Sequence, residues 1–205
     1  QTAINLAKAI NTIDYLGWRY YDISRISYYR GDFPTAQQWA QEARSIWQRQ
    51  QYLKGICNAE RILGLIELRS GNAVAATRLI EGSFAAYQST GEETNLAHYL
   101  GSMGELAEYH GDIAAAKGWY EQAIAALRSK NNIIYLASDL INLGRVAWQL
   151  DDGAAAHSCF SEGLQVAREC GRVDMIARAY ASLAQLAYDQ QQLPAAQTNA
   201  RQALD

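Results

Sequence analysis

An all-α array of antiparallel helix pairs is the architecture that this sequence predicts, on three observations. A turn signal recurs every 40 residues, small and large residues recur with it in fixed columns, and the 205-residue chain holds only two prolines. Abundant Ala, Leu, Gln, Arg and Glu favour helix. A composition 49% hydrophobic and 19% charged suits a folded chain.

The turn signal is Gly31-Asp32, Gly71-Asn72 and Gly111-Asp112, followed by the degenerate copies Asp151-Asp152 and Gln191-Gln192. Glycine suits the left-handed position that ends one helix, and Asp or Asn suits the cap that starts the next. A second turn column follows at Asn11, Gln51, Gly91, Asn131 and Gly171. Between the turns, one column is alanine throughout: Ala36, Ala76, Ala116, Ala156 and Ala196. Another is small: Ser24, Gly64, Gly104, Gly144 and Ala184, each preceded by an apolar residue. Four residues after the alanine stand Ala40, Ile80, Tyr120, Phe160 and Ala200. Steps of three and four place residues on one helix face, and small residues let two helix backbones approach.

The elements follow in order. Repeat one has a first helix over 13–30 and a second over 33–50, opened by Pro34, whose missing N–H costs little in a first turn. Repeat two has helices over 53–70 and 73–90, repeat three over 93–110 and 113–130, and repeat four over 133–150 and 153–170. Repeat five has helices over 173–190 and 193–205, the latter opened by Pro194. The boundaries become 1–11 as the end of a preceding repeat, full repeats over 12–51, 52–91, 92–131 and 132–171, and a truncated one over 172–205. Gln1-Thr2-Ala3 aligns with Gln41-Glu42-Ala43 and Arg201-Gln202-Ala203. The single array is therefore expected to start and stop inside a second helix and to be a fragment with neighbouring repeats on both sides.

This pattern of small residue, Gly-Asp turn, Ala, large residue and Ala (Gly104, Gly111-Asp112, Ala116, Tyr120, Ala123) resembles the tetratricopeptide repeat along the whole chain. The usual unit there has 34 residues, so the 40-residue period lengthens each helix. Such longer units resemble the arrays of bacterial signal-transduction ATPases and large transcription activators. The resemblance implies a right-handed alpha-alpha superhelix, a solenoid whose first helices line a concave groove.

Carried over column by column, that groove holds Trp18, Tyr21, Arg25, Tyr28 and Tyr29 from repeat one, and Asn58, Arg61, Leu65 and Arg69 from repeat two. Repeat three adds His98, Glu105, Glu108 and Tyr109, and repeat four Ser138, Arg145, Trp148 and Gln149. Repeat five supplies Arg178, Gln185, Tyr188 and Asp189. Trp, Tyr and Arg are the types enriched at binding hot spots, and guanidinium groups fork onto carboxylates or phosphates. A peptide or partner domain is the expected occupant, with a small-molecule effector as the alternative and a mere spacer or oligomerisation arm as the third reading. Tyr20 and Tyr180 are expected to pack the next repeat instead.

Catalysis is not expected, and no cofactor is. His98 and Glu105 stand two turns apart, about 10 Å along a helix, too far to share an ion directly. No Gly-rich loop precedes a Lys-Ser or Lys-Thr, and neither His110 nor His157 pairs with a nucleophile. A net charge of −3 lacks the field that nucleic acid requires. No apolar run is long enough to span a membrane. Cys57, Cys159 and Cys170 form no CxxC pair and read as thiols in a reducing, cytoplasmic compartment.

Overall fold

The left-handed turns organise the chain. A computed structural model describes residues 2–91, 93, 95–130 and 132–204, with side chains from Tyr15 onward, Ile134 excepted. Gly31, Gly71 and Gly111 take φ of 77°, 80° and 78°, and Asp151 and Gln191 adopt the same conformation at 60° and 61°. At the second turn Gln51, Gly91 and Gly171 do likewise, with φ of 55°, 67° and 65°, while Asn131 lies outside the described residues. Each closes the preceding helix through backbone bonds, as where the Gly31 N–H donates to Tyr28 O at 3.0 Å and the Asp32 N–H to Ser27 O at 3.0 Å. The capping column then works as expected: Asp32, Asn72, Asp112 and Asp152 accept from the backbone N–H three residues on.

Ten helices lie among the described residues: α1 Thr2–Tyr29, α2 Phe33–Arg49, α3 Leu53–Arg69, α4 Ala73–Ser89, α5 Leu96–Tyr109, α6 Ile113–Ser129, α7 Ile133–Gln149, α8 Gly153–Glu169, α9 Val173–Asp189 and α10 Leu193–Leu204. Two starts differ from the sequence reading. The turn expected at Asn11 is absent, and α1 runs through it as one helix of 28 residues. The stretch Ala3–Asp14 contains neither glycine nor proline, and a lone Asn does not stop a run of Ala, Leu, Lys and Ile. Helix α5 begins at Leu96 rather than at 93, and the Asn95 N–H just before it donates to the Tyr87 hydroxyl at 2.9 Å.

The chain divides into two compact units, residues 1–95 and 96–205. In the N-terminal unit, α1 pairs with α2 and α3 with α4, with α3 docked on both α1 and α2. In the C-terminal unit, α5–α6, α7–α8 and α9–α10 are the hairpins, and each later first helix docks on the hairpin before it. This is an all-α tetratricopeptide-like stack of antiparallel helix pairs.

The columns explain the hairpins. A Cβ added to Gly104 would stand 2.6 Å from the Tyr120 ring, and one on Gly144 would stand 2.6 Å from the Phe160 ring. In repeats three and four the small residue of the first helix thus receives the large residue of its own second helix, and in repeat two Gly64 receives Ile80 in the same way. Tyr120 and Phe160 are fully buried, as are the four alanines from Ala36 to Ala156. Full burial of a Phe-sized side chain contributes about 1.5–3 kcal/mol. In the N-terminal unit Trp47 fills the seam between α1 and α3, with positions for a Cβ on Gly17 and Gly55 only 2.6 and 2.3 Å from its ring atoms. Trp18 meets Trp47 edge-on at 5.2 Å between ring centroids.

Tyr20 packs within its own hairpin. Its ring lies 4.7 Å from that of Trp39 on α2. Tyr180 turns to the second helices, taking a hydrogen bond from Arg168 on α8 and donating to Gln202 on α10 at 3.4 Å.

Candidate partner-binding face

First helices adjoin one another within each unit, α1 beside α3 and α5 beside α7 beside α9. Their shared face therefore brings together residues 40 positions apart. In the N-terminal unit, Arg61 Nη2 donates to the Tyr21 hydroxyl at 3.1 Å and Arg69 Nε to the Tyr28 hydroxyl at 3.2 Å. Tyr21, Tyr28, Asn58, Arg61 and Leu65 are all buried. They fill the seam between α1 and α3 instead of projecting outward, since helices in direct contact enclose the side chains along their line of approach. Trp18 is half-buried in the Trp47 cluster. The reachable part of this face is Arg25, paired with Asp22 at 3.2 Å, together with Tyr29 and Arg69.

The C-terminal unit is more polar. Arg145 binds Glu108 with two prongs, Nε to Oε1 at 3.0 Å and Nη2 to Oε2 at 2.7 Å. The Tyr120 hydroxyl crosses from α6 and donates to Glu108 Oε2 at 2.6 Å. Arg145 Nη2 also reaches Asn142 Oδ1 at 3.5 Å, and Arg178 on α9 donates to that same oxygen at 2.5 Å. One chain of hydrogen bonds thus crosses α5, α7 and α9. Burial opposes charge on Arg145, but its hydrogen bonds to Glu108 and the neighbouring carboxylates outweigh that and raise its pKa. Burial first, then Glu105 and Glu108, push the Tyr120 phenol well above its usual 10.0. The Glu108 side chain is 11% exposed and that of Arg145 39%, so the carboxylate anchors while the guanidinium presents an outer edge.

The other expected residues surround this strip. Glu105 is half-buried beside it, and His98 meets the Tyr135 ring edge-on at 4.0 Å. Trp148 packs partly into the hydrophobic core. Gln185 donates to Asp189 at 3.1 Å on the exposed surface, Tyr188 is exposed, and exposed Tyr109 lies against His110. Ser138 is half-buried and Gln149 exposed. Serines on this face are turned inward to their own helices, Ser102 donating to His98 O and Ser182 to Arg178 O. Among the described residues no three His, Cys, Asp or Glu side chains are grouped to hold a metal ion. The arrangement offers fixed hydrogen-bond donors and acceptors.

Asn142 and Tyr120 are missing from the sequence-derived set. The Asn142 column was legible in part, since Asp22, Ser102, Asn142 and Ser182 place polar residues mid-helix at one register, with Ile62 the exception. Tyr120 occupies a core column, and nothing in the sequence separates its ring, which fills the hairpin, from its hydroxyl, which emerges beside Glu108.

No protein-family model matches this sequence, and no curated protein does. Solved structures do match in fold. BtubC (BKLC) from P. vanneervenii is 17% identical over 98% of this chain and 84% of its own, with a TM-score of 0.71. A signal transduction ATPase with numerous domains and a tetratricopeptide repeat sensor, from Pyrococcus horikoshii, is 16% identical at a TM-score of 0.69. The match covers 91% of this chain and 28% of that one. A Rap protein complexed with competence and sporulation factor is 12% identical over 96% of this chain and 64% of its own, at a TM-score of 0.68. The fold is of the tetratricopeptide type. Among the described residues no helix of this tetratricopeptide-type chain is long and apolar enough to cross a membrane. Its three cysteines are free thiols, and burial followed by Glu60 pushes the Cys57 thiol up to about 11.

Proposed function

We propose that this chain is a protein-interaction module whose first-helix face takes a peptide or a partner domain, as part of a larger regulatory protein. The observation that carries the reading is the strip Glu108–Arg145–Asn142–Arg178, held by hydrogen bonds across three helices. A face ordered before binding loses little further side-chain freedom when a partner arrives. Forked guanidinium groups recognise carboxylates, and the carbonyl oxygens of an extended peptide suit the same donors. The Rap protein of like fold is complexed with competence and sporulation factor, which supports a comparable use here. A reducing, cytoplasmic setting belongs to this reading and rests on the three free thiols.

The test is selection from a display library of linear peptides, followed by affinity measurement against Arg178→Ala combined with Glu105→Gln. Both side chains are half-buried at the edge of the strip. Enriched peptides should lose about tenfold or more in affinity, equivalent to about 1.4 kcal/mol, while circular dichroism stays unchanged. Equal affinity for both proteins would remove this face from consideration.

The second reading is an effector sensor, favoured by the tetratricopeptide repeat sensor in the signal transduction ATPase. A small molecule held by the same strip would raise the thermal midpoint, because it stabilises the native state alone. A metabolite panel that leaves the midpoint fixed counts against it.

A further inference from the structure

Charge is divided between the two sides of the C-terminal unit. Its first helices, α5, α7 and α9, carry Glu105, Glu108, Asp139, Asp174 and Asp189 against Arg145 and Arg178, and no lysine. Its second helices, α6, α8 and α10, reverse the balance, with four cationic side chains against three carboxylates. The excess of carboxylate in this unit therefore lies on the first-helix side.

Depth adds to the imbalance. Asp139 is 9% exposed, and its Oδ1 lies 3.0 Å from where a Cβ on Gly101 would stand. Its carboxylate thus rests directly against α5, at a glycine that leaves room for it. Glu108 is the deeper member of its pair, its side chain 11% exposed against 39% for Arg145. Buried charge is screened less by salt than exposed charge, so these carboxylates act strongly on whatever approaches. Glu105 is the one within reach. It is half-buried on the same helix as Glu108, three residues before it, and close enough to Tyr120 and Arg145 for its charge to raise the pKa of both. Two turns earlier on α5, His98 meets the half-buried Tyr135 of α7 and gives the face an aromatic border. Such rings accept the stem or the head of a cationic side chain.

An anionic partner is disfavoured by the same geometry. The fork of Arg145 is occupied by both oxygens of Glu108, so a partner carboxylate must compete with Glu108 for it. We propose that the occupant of this face is basic: a linear segment of a partner protein that sets a lysine or arginine on Glu105 and a neighbouring side chain on the His98–Tyr135 rings. This rests on the first-helix face being the peptide-binding side. The outer edge of Arg145 then serves a main-chain carbonyl of the same segment, and like charge repels acidic competitors.

The test is selection of linear peptides from a random display library on the folded chain, with sequencing of the enriched pool. The affinity of a labelled enriched peptide is then measured by fluorescence anisotropy against Glu105→Lys and Glu169→Lys. Both variants change net charge equally, but Glu169 is exposed on α8, a second helix. The pool should carry Lys and Arg in excess over Asp and Glu, a reading that needs only the unaltered chain. Glu105→Lys should lower affinity about tenfold or more, and Glu169→Lys less than about twofold, with circular dichroism unchanged in each. Raising salt should weaken binding to the unaltered chain. A pool without charge bias, or one rich in Asp and Glu, overturns the inference and leaves the face as the binding side. Equal losses in the two variants overturn it as well, since net charge alone would then explain the preference. Failure to enrich any peptide overturns the binding side and its basic occupant together.

Discussion

Gln51, Asp151 and Gln191 hold a left-handed backbone that glycine holds at Gly31, Gly71 and Gly111. The Cβ of an L-residue crowds the next carbonyl there at a cost of about 1–2 kcal/mol, part of which glycine returns as lost chain entropy. Gln51→Gly and Gln191→Gly should each raise stability by up to about 1 kcal/mol, measured as a higher thermal midpoint; a lowered midpoint would mean that the glutamine side chain holds the turn. The left-handed positions were readable from the sequence because a period supplied them even where glycine is missing. The seam residues were less readable. Spacing puts Tyr21 and Arg61 on the first-helix face, but whether a side chain there projects or is enclosed depends on how closely α1 approaches α3, and spacing carries no distance.

At the scale of the element, glycine has two opposite meanings along these helices. Gly144 admits the Phe160 ring, whereas a Cβ on Gly82 of α4 would meet nothing within 4 Å. Gly144→Ala should cost about 1–3 kcal/mol by overpacking the hairpin. Gly82→Ala should stabilise by about 0.5–1 kcal/mol through helix propensity. Chemical denaturation of the two variants side by side checks both signs, and a common sign would break the column assignment. Helix starts were legible where a side chain caps, as at Asp112 and Asp152. They were less legible at α5, which starts at Leu96 rather than at 93.

For the whole molecule, the shifted groups set a pH range of stability. Folding raises the Cys57 thiol from 9.0 to about 11 and the Tyr120 phenol above 10.0, so both keep their protons longer when folded than when unfolded. The Cys57 contribution is complete below about pH 9 and declines as pH rises through 9–11, and that of Tyr120 declines only above pH 10.0. Asp174 is shifted the other way, chiefly by its hydrogen bond from Arg172, and its contribution fades as pH falls below 3.8. The thermal midpoint should form a plateau between these limits. Cys57→Ala should make the alkaline decline shallower relative to its own plateau; an unchanged slope would show that the thiol titrates normally in the fold. The fold class was legible because a 40-residue period writes the same hairpin five times. The strip across α5, α7 and α9 was legible only in part, because it joins a core tyrosine to surface charges and belongs to no single column.

Trp47 offers a further consequence. Its indole is 1% exposed, enclosed by two glycines and met edge-on by Trp18. A chromophore so shielded emits at short wavelength, and two indoles held at a fixed angle couple their transitions. The N-terminal unit therefore carries an intrinsic optical gauge: its exciton band in circular dichroism and its blue emission should vanish together when α1 and α2 part.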